Sequence, residues 1–135
     1  MMNTPLEICI LAAGKGTRMK TLVPKMLQPI AGAPMIAHVV STARALKATK
    51  THLVVSEDHA GLKAAIEDQD DLNWVVQKEQ LGTGHAVQQA APSINIDAAV
   101  LVLLGDVPLL SPETLQPLFE DRADVAVLSV NAQNP

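Results

Sequence analysis

The chain has 135 residues, of which 48% are hydrophobic and 18% charged, so it holds one packed domain and is too apolar for a disordered segment. Its net charge of −4 and its two aromatic residues, Trp74 and Phe119, exclude a general nucleic-acid binder, which needs a basic excess and stacking rings. The lone cysteine, Cys9, excludes an internal disulfide framework and fits a reducing compartment.

No basic stretch followed by an apolar one opens the chain, and no apolar run reaches the roughly 18 residues a membrane span requires. A cytoplasmic location is therefore expected.

Residues 7–12 read as a buried strand, with Cys9 as an inert core thiol. The strand runs into Leu11-Ala12-Ala13-Gly14-Lys15-Gly16-Thr17-Arg18-Met19, with Pro24-Lys25 following. Gly14 and Gly16 let the backbone turn tightly and approach a ligand, and Lys15, Arg18 and Lys25 supply three cations. Strand, flexible loop and clustered cations suggest a polyphosphate cradle. It is not a dinucleotide fingerprint, because Met19 stands where the third glycine belongs, and no P-loop pattern is present.

Pro34 opens a helix whose apolar face is Met35, Ile36, Val39, Val40, Ala43 and Leu46. A second strand is expected at 51–55, then a helix capped by Asp58, then a short third strand at 73–77. Gly82-Thr83-Gly84 leads into a helix that Pro92 stops, with Thr83 its expected cap. Residues 98–104 are unbroken apolar sequence, as in a strand buried on both faces. Ser111-Pro112-Glu113 marks the start of a helix running to about residue 121. A fifth strand is expected at 124–130.

Strand and helix alternate throughout, so the fold expected is α/β, a doubly wound, mostly parallel sheet forming one domain over 1–135. Ligands of such sheets bind beyond the carboxyl ends of the strands. The first loop, Gln77 and Asp106 all fall there. A carboxylate at Asp106 suits Mg²⁺ beside phosphate oxygens, although Gly-Asp-x-Pro is also good turn chemistry. Gln77 offers a donor and an acceptor that match the imide edge of uracil, or it is an exposed polar residue at a strand end. The four histidines form no metal-spaced cluster and read as solvated or structural.

The Leu11–Met19 run with Pro24-Lys25 resembles the signature of the nucleoside-diphospho-sugar pyrophosphorylases, or sugar nucleotidyltransferases. The runs Gln77-Lys-Glu-Gln-Leu-Gly-Thr-Gly-His-Ala86 and Gly105-Asp-Val-Pro-Leu109 narrow the resemblance. They are similar to the N-terminal uridyltransferase domain of the bifunctional N-acetylglucosamine-1-phosphate uridyltransferase/glucosamine-1-phosphate acetyltransferases. The resemblance implies a Rossmann-like nucleotidyltransferase fold, incomplete at the C-terminus. It implies transfer of a uridylyl group from UTP to N-acetylglucosamine 1-phosphate with Mg²⁺ as cofactor.

Residue by residue, the resemblance implies that the backbone of Leu11, Ala12, Ala13 and Gly14 holds the nucleoside. Gln77 and Gly82, with Thr83 beside them, match the uracil-reading positions. Arg18, with Lys15 and Gly16 nearby, matches the arginine that neutralises departing pyrophosphate. Lys25 matches the lysine at the reacting phosphates, and Asp106 matches one metal-binding acid. Leu104 stands where relatives often carry a tyrosine.

The family's sugar-binding residues, its second metal ligand (an asparagine) and its trimer-building acetyltransferase domain fall beyond this sequence. The chain is therefore expected to supply the nucleotide half of the site and to be weakly active or inactive alone. Two alternatives stay open: transfer of CMP, dTMP or GMP, which shares the first loop, and a non-catalytic nucleotide-binding fragment.

Overall fold

The computed structural model describes residues 4–14, 23–120 and 123–133. Four parallel strands form the main sheet: β1 (Leu6–Leu11), β4 (Lys50–Val55), β5 (Leu72–Val76) and β6 (Ala99–Leu104). Their order across the sheet is β5-β4-β1-β6. A short antiparallel hairpin, β2 (Pro29–Ile30) and β3 (Ala33–Pro34), turns through Ala31 and Gly32 with positive φ at both. That is the dihedral pattern tight hairpin turns require.

Helices cover both sheet faces. α1 (Met35–Ala45) and α2 (Ala60–Ala65) pack through Ile36, Val39 and Leu62 onto the face carrying Ile8 and Ile10. α3 (Thr83–Ala90) packs through Ala86 and Ala90 onto Cys9, Leu11 and Val54. The β1 pattern buries alternate side chains in opposite directions, so Ile8 and Ile10 serve one layer and Cys9 and Leu11 the other. The doubly wound reading of the alternating sequence holds, and Cys9 is fully buried as a core thiol.

At the start of the sheet, Glu7 and His52 form a buried pair, His52 Nε2 to Glu7 Oε2 at 2.7 Å. Asn73 lies 2.9 Å from the other ring nitrogen of His52. This row spans β1, β4 and β5 and gives His52 the structural role expected of it.

Several local expectations change. Residues 123–130 form no strand, and Val125, Val127 and Val130 are 80%, 78% and 89% exposed. Apolar alternation meets only half the requirement for a strand. The other half is a neighbouring backbone to bond, and no described residue supplies one. β6 is covered on one face alone: Leu101 and Leu103 are buried, whereas Val100, Val102 and Leu104 are exposed. α3 lies over β1 and β4, and the exposed Val100 and Val102 line an open apolar depression beside Val87 of α3.

The helix expected to run to residue 121 breaks into α4 (Pro112–Leu115) and α5 (Pro117–Glu120), because Pro117 has no N–H to continue the ladder. Its start is as expected, with Ser111 Oγ accepting from Thr114 N at 3.3 Å. His59 rather than Asp58 precedes α2, and Pro34 stands one position before α1 rather than within it.

Candidate nucleotide site

The strand order locates the candidate site. From β1 the chain moves outward through β4 to β5, then returns to place β6 on the other side of β1. The order therefore reverses between β1 and β6. Connections diverge from that point and leave a crevice at the carboxyl ends of the two strands. Gly14 leaves β1 there, and Gly105-Asp106 leaves β6.

Gly105 fixes this junction. Its N–H donates to Leu11 O at 2.9 Å. A Cβ on it would lie 3.0 Å from that same carbonyl, 3.1 Å from Met26 Sδ and 3.2 Å from Ile36 Cδ1. Glycine is thus required by the close approach of β6 to β1, and Asp106 is delivered beside the end of β1. The case is opposite at Gly14, where a Cβ would meet no described atom within 4 Å. The described protein does not itself demand glycine at 14.

Lys25, in a single 3-10 turn Lys25–Leu27, reaches across to Asp106 with Nζ–Oδ2 at 2.7 Å. Both side chains are about one-third exposed, 32% and 31%. The two residues assigned to phosphate and metal therefore meet each other, from segments 81 positions apart. Among the described residues no group of three or more His, Cys, Asp or Glu could cage a metal. The donor set is instead a carboxylate at a crevice, the arrangement Mg²⁺ uses when phosphates and water complete its shell.

Beyond β5, Gln77 is 2% exposed, which overturns the reading of it as an exposed residue at a strand end. Its backbone N–H donates to Val55 O at 2.8 Å. Its side-chain Nε2 donates to Gly82 O at 3.3 Å and lies 2.9 Å from His85 Nδ1. Gly82 has φ 102° and ψ 178°, a backbone region open essentially to glycine alone. Gly82 itself, not Thr83, occupies the cap position of α3, and no side chain caps this helix. Thr83 is an exposed first-turn residue.

Among the assigned residues, Leu11, Ala12, Ala13, Gly14, Gln77, Gly82, Thr83, Lys25 and Asp106 all fall on the carboxyl-end side of the sheet. Lys15, Gly16 and Arg18 lie outside the described residues. A separate open cavity of about 600 Å³, lined in part by Arg44, Lys50, Asp71 and Asn73, sits at the opposite end. There Arg44 is already held by Asp71 and by the carbonyls of Glu67 and Asp68.

The chain matches the family model of the MobA-like NTP transferase domain over residues 8–135. It belongs to that family.

Its similarity to curated relatives is closer than fold alone. It is 52% identical over 134 residues to the bifunctional protein GlmU of Xanthomonas oryzae, matching 99% of this chain and 30% of that protein. It is 54% identical over 136 residues to GlmU of Xylella fastidiosa, again over 99% of this chain and 29% of the relative. The chain thus spans about three-tenths of the length of these relatives.

Solved structures share the fold at lower identity. Rv0371c of Mycobacterium tuberculosis aligns with a TM-score of 0.76 at 24% identity, over 89% of this chain and 61% of that one. A nucleotidyl transferase of Methanothermobacter aligns at 0.77 and 21%, over 87% and 58%. Rv0371c is also known as a complex with manganese.

One histidine expected to be solvated or structural lies beside a candidate site residue. His85 stands between Gln77 and Gln89, whose amide nitrogen lies 3.1 Å from His85 Nε2. A signal was available. Gln77 directly follows β5, and His85 and Gln89 are one helical turn apart, so they share a face of α3.

Proposed function

We propose that this chain forms the nucleotide-binding half of a uridylyltransferase that joins UTP and N-acetylglucosamine 1-phosphate into UDP-N-acetylglucosamine and pyrophosphate. The observation that carries this reading is the Lys25–Asp106 pair at the point where strand order reverses, 2.7 Å apart and open to solvent. An ammonium and a carboxylate held together at the carboxyl ends of the strands can each turn to a different part of a metal–nucleotide complex. Identity of 52% and 54% to GlmU over 99% of the chain supports nucleotidyl transfer to a sugar phosphate, and the Gln77–Ala86 run argues for uridine.

In this reading the backbone of residues 11–14 lies along the nucleoside, and Gly14 is glycine because the ligand, not the protein, comes close. Gln77 meets the uracil edge. Lys25 leaves the Asp106 carboxylate for the reacting phosphates, and Arg18 and Lys15 offset charge on the departing pyrophosphate. Asp106 is the residue that would hold Mg²⁺, whose contribution is to neutralise phosphate charge. An oxygen of the sugar 1-phosphate attacks the α-phosphorus of UTP, the bond to the β-phosphate oxygen breaks, and pyrophosphate leaves with the electron pair. No covalent enzyme intermediate is needed. The residues act by positioning and electrostatic stabilisation.

Calorimetric titration of the chain with UTP and with CTP, each with Mg²⁺, tests the reading. Tighter binding of UTP is expected. Equal affinity, or a preference for CTP, contradicts the assignment to uridine.

A further inference from the structure

We propose that His85 is the positioning residue that makes this site select an imide base, by fixing which face of the Gln77 amide is presented. The proposal rests on the nucleotide reading above and adds to it the element that sets base choice.

Gln77 can be turned either way, because its oxygen and nitrogen are nearly the same size. One neighbour removes the ambiguity. The Gly82 carbonyl can only accept, and it lies 3.3 Å from Gln77 Nε2. The amide nitrogen must therefore face Gly82, since the oxygen there would oppose another oxygen. The same nitrogen lies 2.9 Å from His85 Nδ1. That ring nitrogen must then accept, so the proton of neutral His85 is on Nε2. Gln89, 3.1 Å away, is amphoteric and completes the chain with its amide oxygen turned to the Nε2–H.

The consequence falls on the outer side of Gln77. Both amide protons are spent inward, on Gly82 O and His85 Nδ1. No described residue donates to Oε1. Among the described residues no buried side-chain oxygen or nitrogen lacks a partner, so Oε1 keeps a sliver of exposure in a residue that is 2% exposed overall. Gln77 thus presents an acceptor alone. Uracil and thymine carry a hydrogen on ring nitrogen N3 and satisfy that acceptor. Cytosine has a lone pair there, which would face the Gln77 oxygen. A site whose polar group is left unpaired by the wrong ligand rejects it strongly. With His85 removed, only the Gly82 carbonyl at 3.3 Å opposes rotation of the amide, and the turned amide suits cytosine.

The test combines two measurements. First, ¹⁵N shifts of the His85 ring in the free chain report which nitrogen carries the proton. The Nε2–H form is expected, and the Nδ1–H form overturns the proposal without reference to any nucleotide. Second, Mg-UTP and Mg-CTP affinities are compared for wild type, His85→Leu and His85→Asn. Asparagine places an acceptor oxygen near the Nδ1 position, whereas leucine places none.

His85→Leu should reduce the UTP-to-CTP affinity ratio by about tenfold or more, and His85→Asn should restore most of it. A ratio unchanged in His85→Leu overturns the proposal and leaves the nucleotide reading standing. A wild-type chain that binds neither nucleotide overturns that reading and this proposal together.

Discussion

Replacing Gly105 with alanine perturbs the junction on which the whole site depends. The new methyl carbon would lie 3.0 Å from Leu11 O, 3.1 Å from Met26 Sδ and 3.2 Å from Ile36 Cδ1. The Met26 side chain can move aside. The Leu11 carbonyl cannot, because it is backbone at the end of a central strand and already accepts the Gly105 N–H at 2.9 Å. Relief must come from separating β6 from β1. Over-packing of this kind costs about 1–3 kcal/mol, and in a domain of this size each kcal/mol lowers Tm by roughly 3–5 °C. Urea unfolding should show a lower midpoint with an unchanged slope. Asp106 moves with Gly105, so UTP affinity should fall as well.

Gly84→Ala supplies the control. A Cβ there meets nothing within 4 Å, the residue is helical, and alanine should stabilise the chain by up to about 1 kcal/mol. Wild-type stability in Gly105→Ala, or equal effects of the two substitutions, would refute the close-approach argument.

Other consequences can be checked in turn. Asp106→Asn should abolish the Mg²⁺ dependence of UTP binding while changing stability by less than about 1 kcal/mol, because the pair with Lys25 is partly exposed. Denaturation and titration on the same sample separate the two effects. Burial pushes the Cys9 thiol up to about 11, so it should resist alkylation at pH 8 in the folded chain and react on unfolding. Labelling followed by mass spectrometry reads this. At the other end of the sheet, the hydrogen bonds from Arg44 hold the Asp71 carboxyl below its ordinary value, against a smaller opposing effect of burial. A depressed carboxylate stabilises the fold above its unfolded pKa, about 3.9, and loses that contribution as pH falls through the lower folded value. Asp71→Asn should therefore cost less than about 1 kcal/mol at pH 7, given the exposure of both side chains. The cost should vanish in strong acid, as read from urea midpoints across pH.

The parallel sheet, and the carboxyl-end side on which the candidate site residues fall, were legible from residue pattern, because hydrophobic period and helix punctuation are local properties. Ser111-Pro112 announced a helix start and gave one. The failures are of a different kind. Residues 124–130 have the composition of a strand, but pairing depends on a backbone elsewhere, which no local pattern records. Residues 98–104 are apolar throughout, yet burial on both faces depends on where α3 lies. At Pro117 an interior proline outweighs the pull of a good cap and splits the expected helix.

At the site, Gln77 illustrates the limit most clearly. Its type and position are legible in the sequence, but its burial and its contacts with Gly82 and His85 arise only in the folded chain. The Lys25–Asp106 contact joins segments that the pairing of β6 with β1 brings together. The similarity over 99% of the chain to GlmU agrees with the motif reading of the first loop, of residues 77–86 and of residues 105–109.

The most direct test of the central claim is an amide NMR titration of the ¹⁵N-labelled chain with Mg-UTP, with Mg-CTP alongside. The account predicts UTP-selective shifts at the carboxyl-end side of the sheet, at Ala13, Gly14, Gln77, Gly82 and Asp106, with the Arg44–Asp71 end unmoved. Shifts confined to that opposite end, or none with either nucleotide, would contradict a nucleotide site at the β1–β6 crevice.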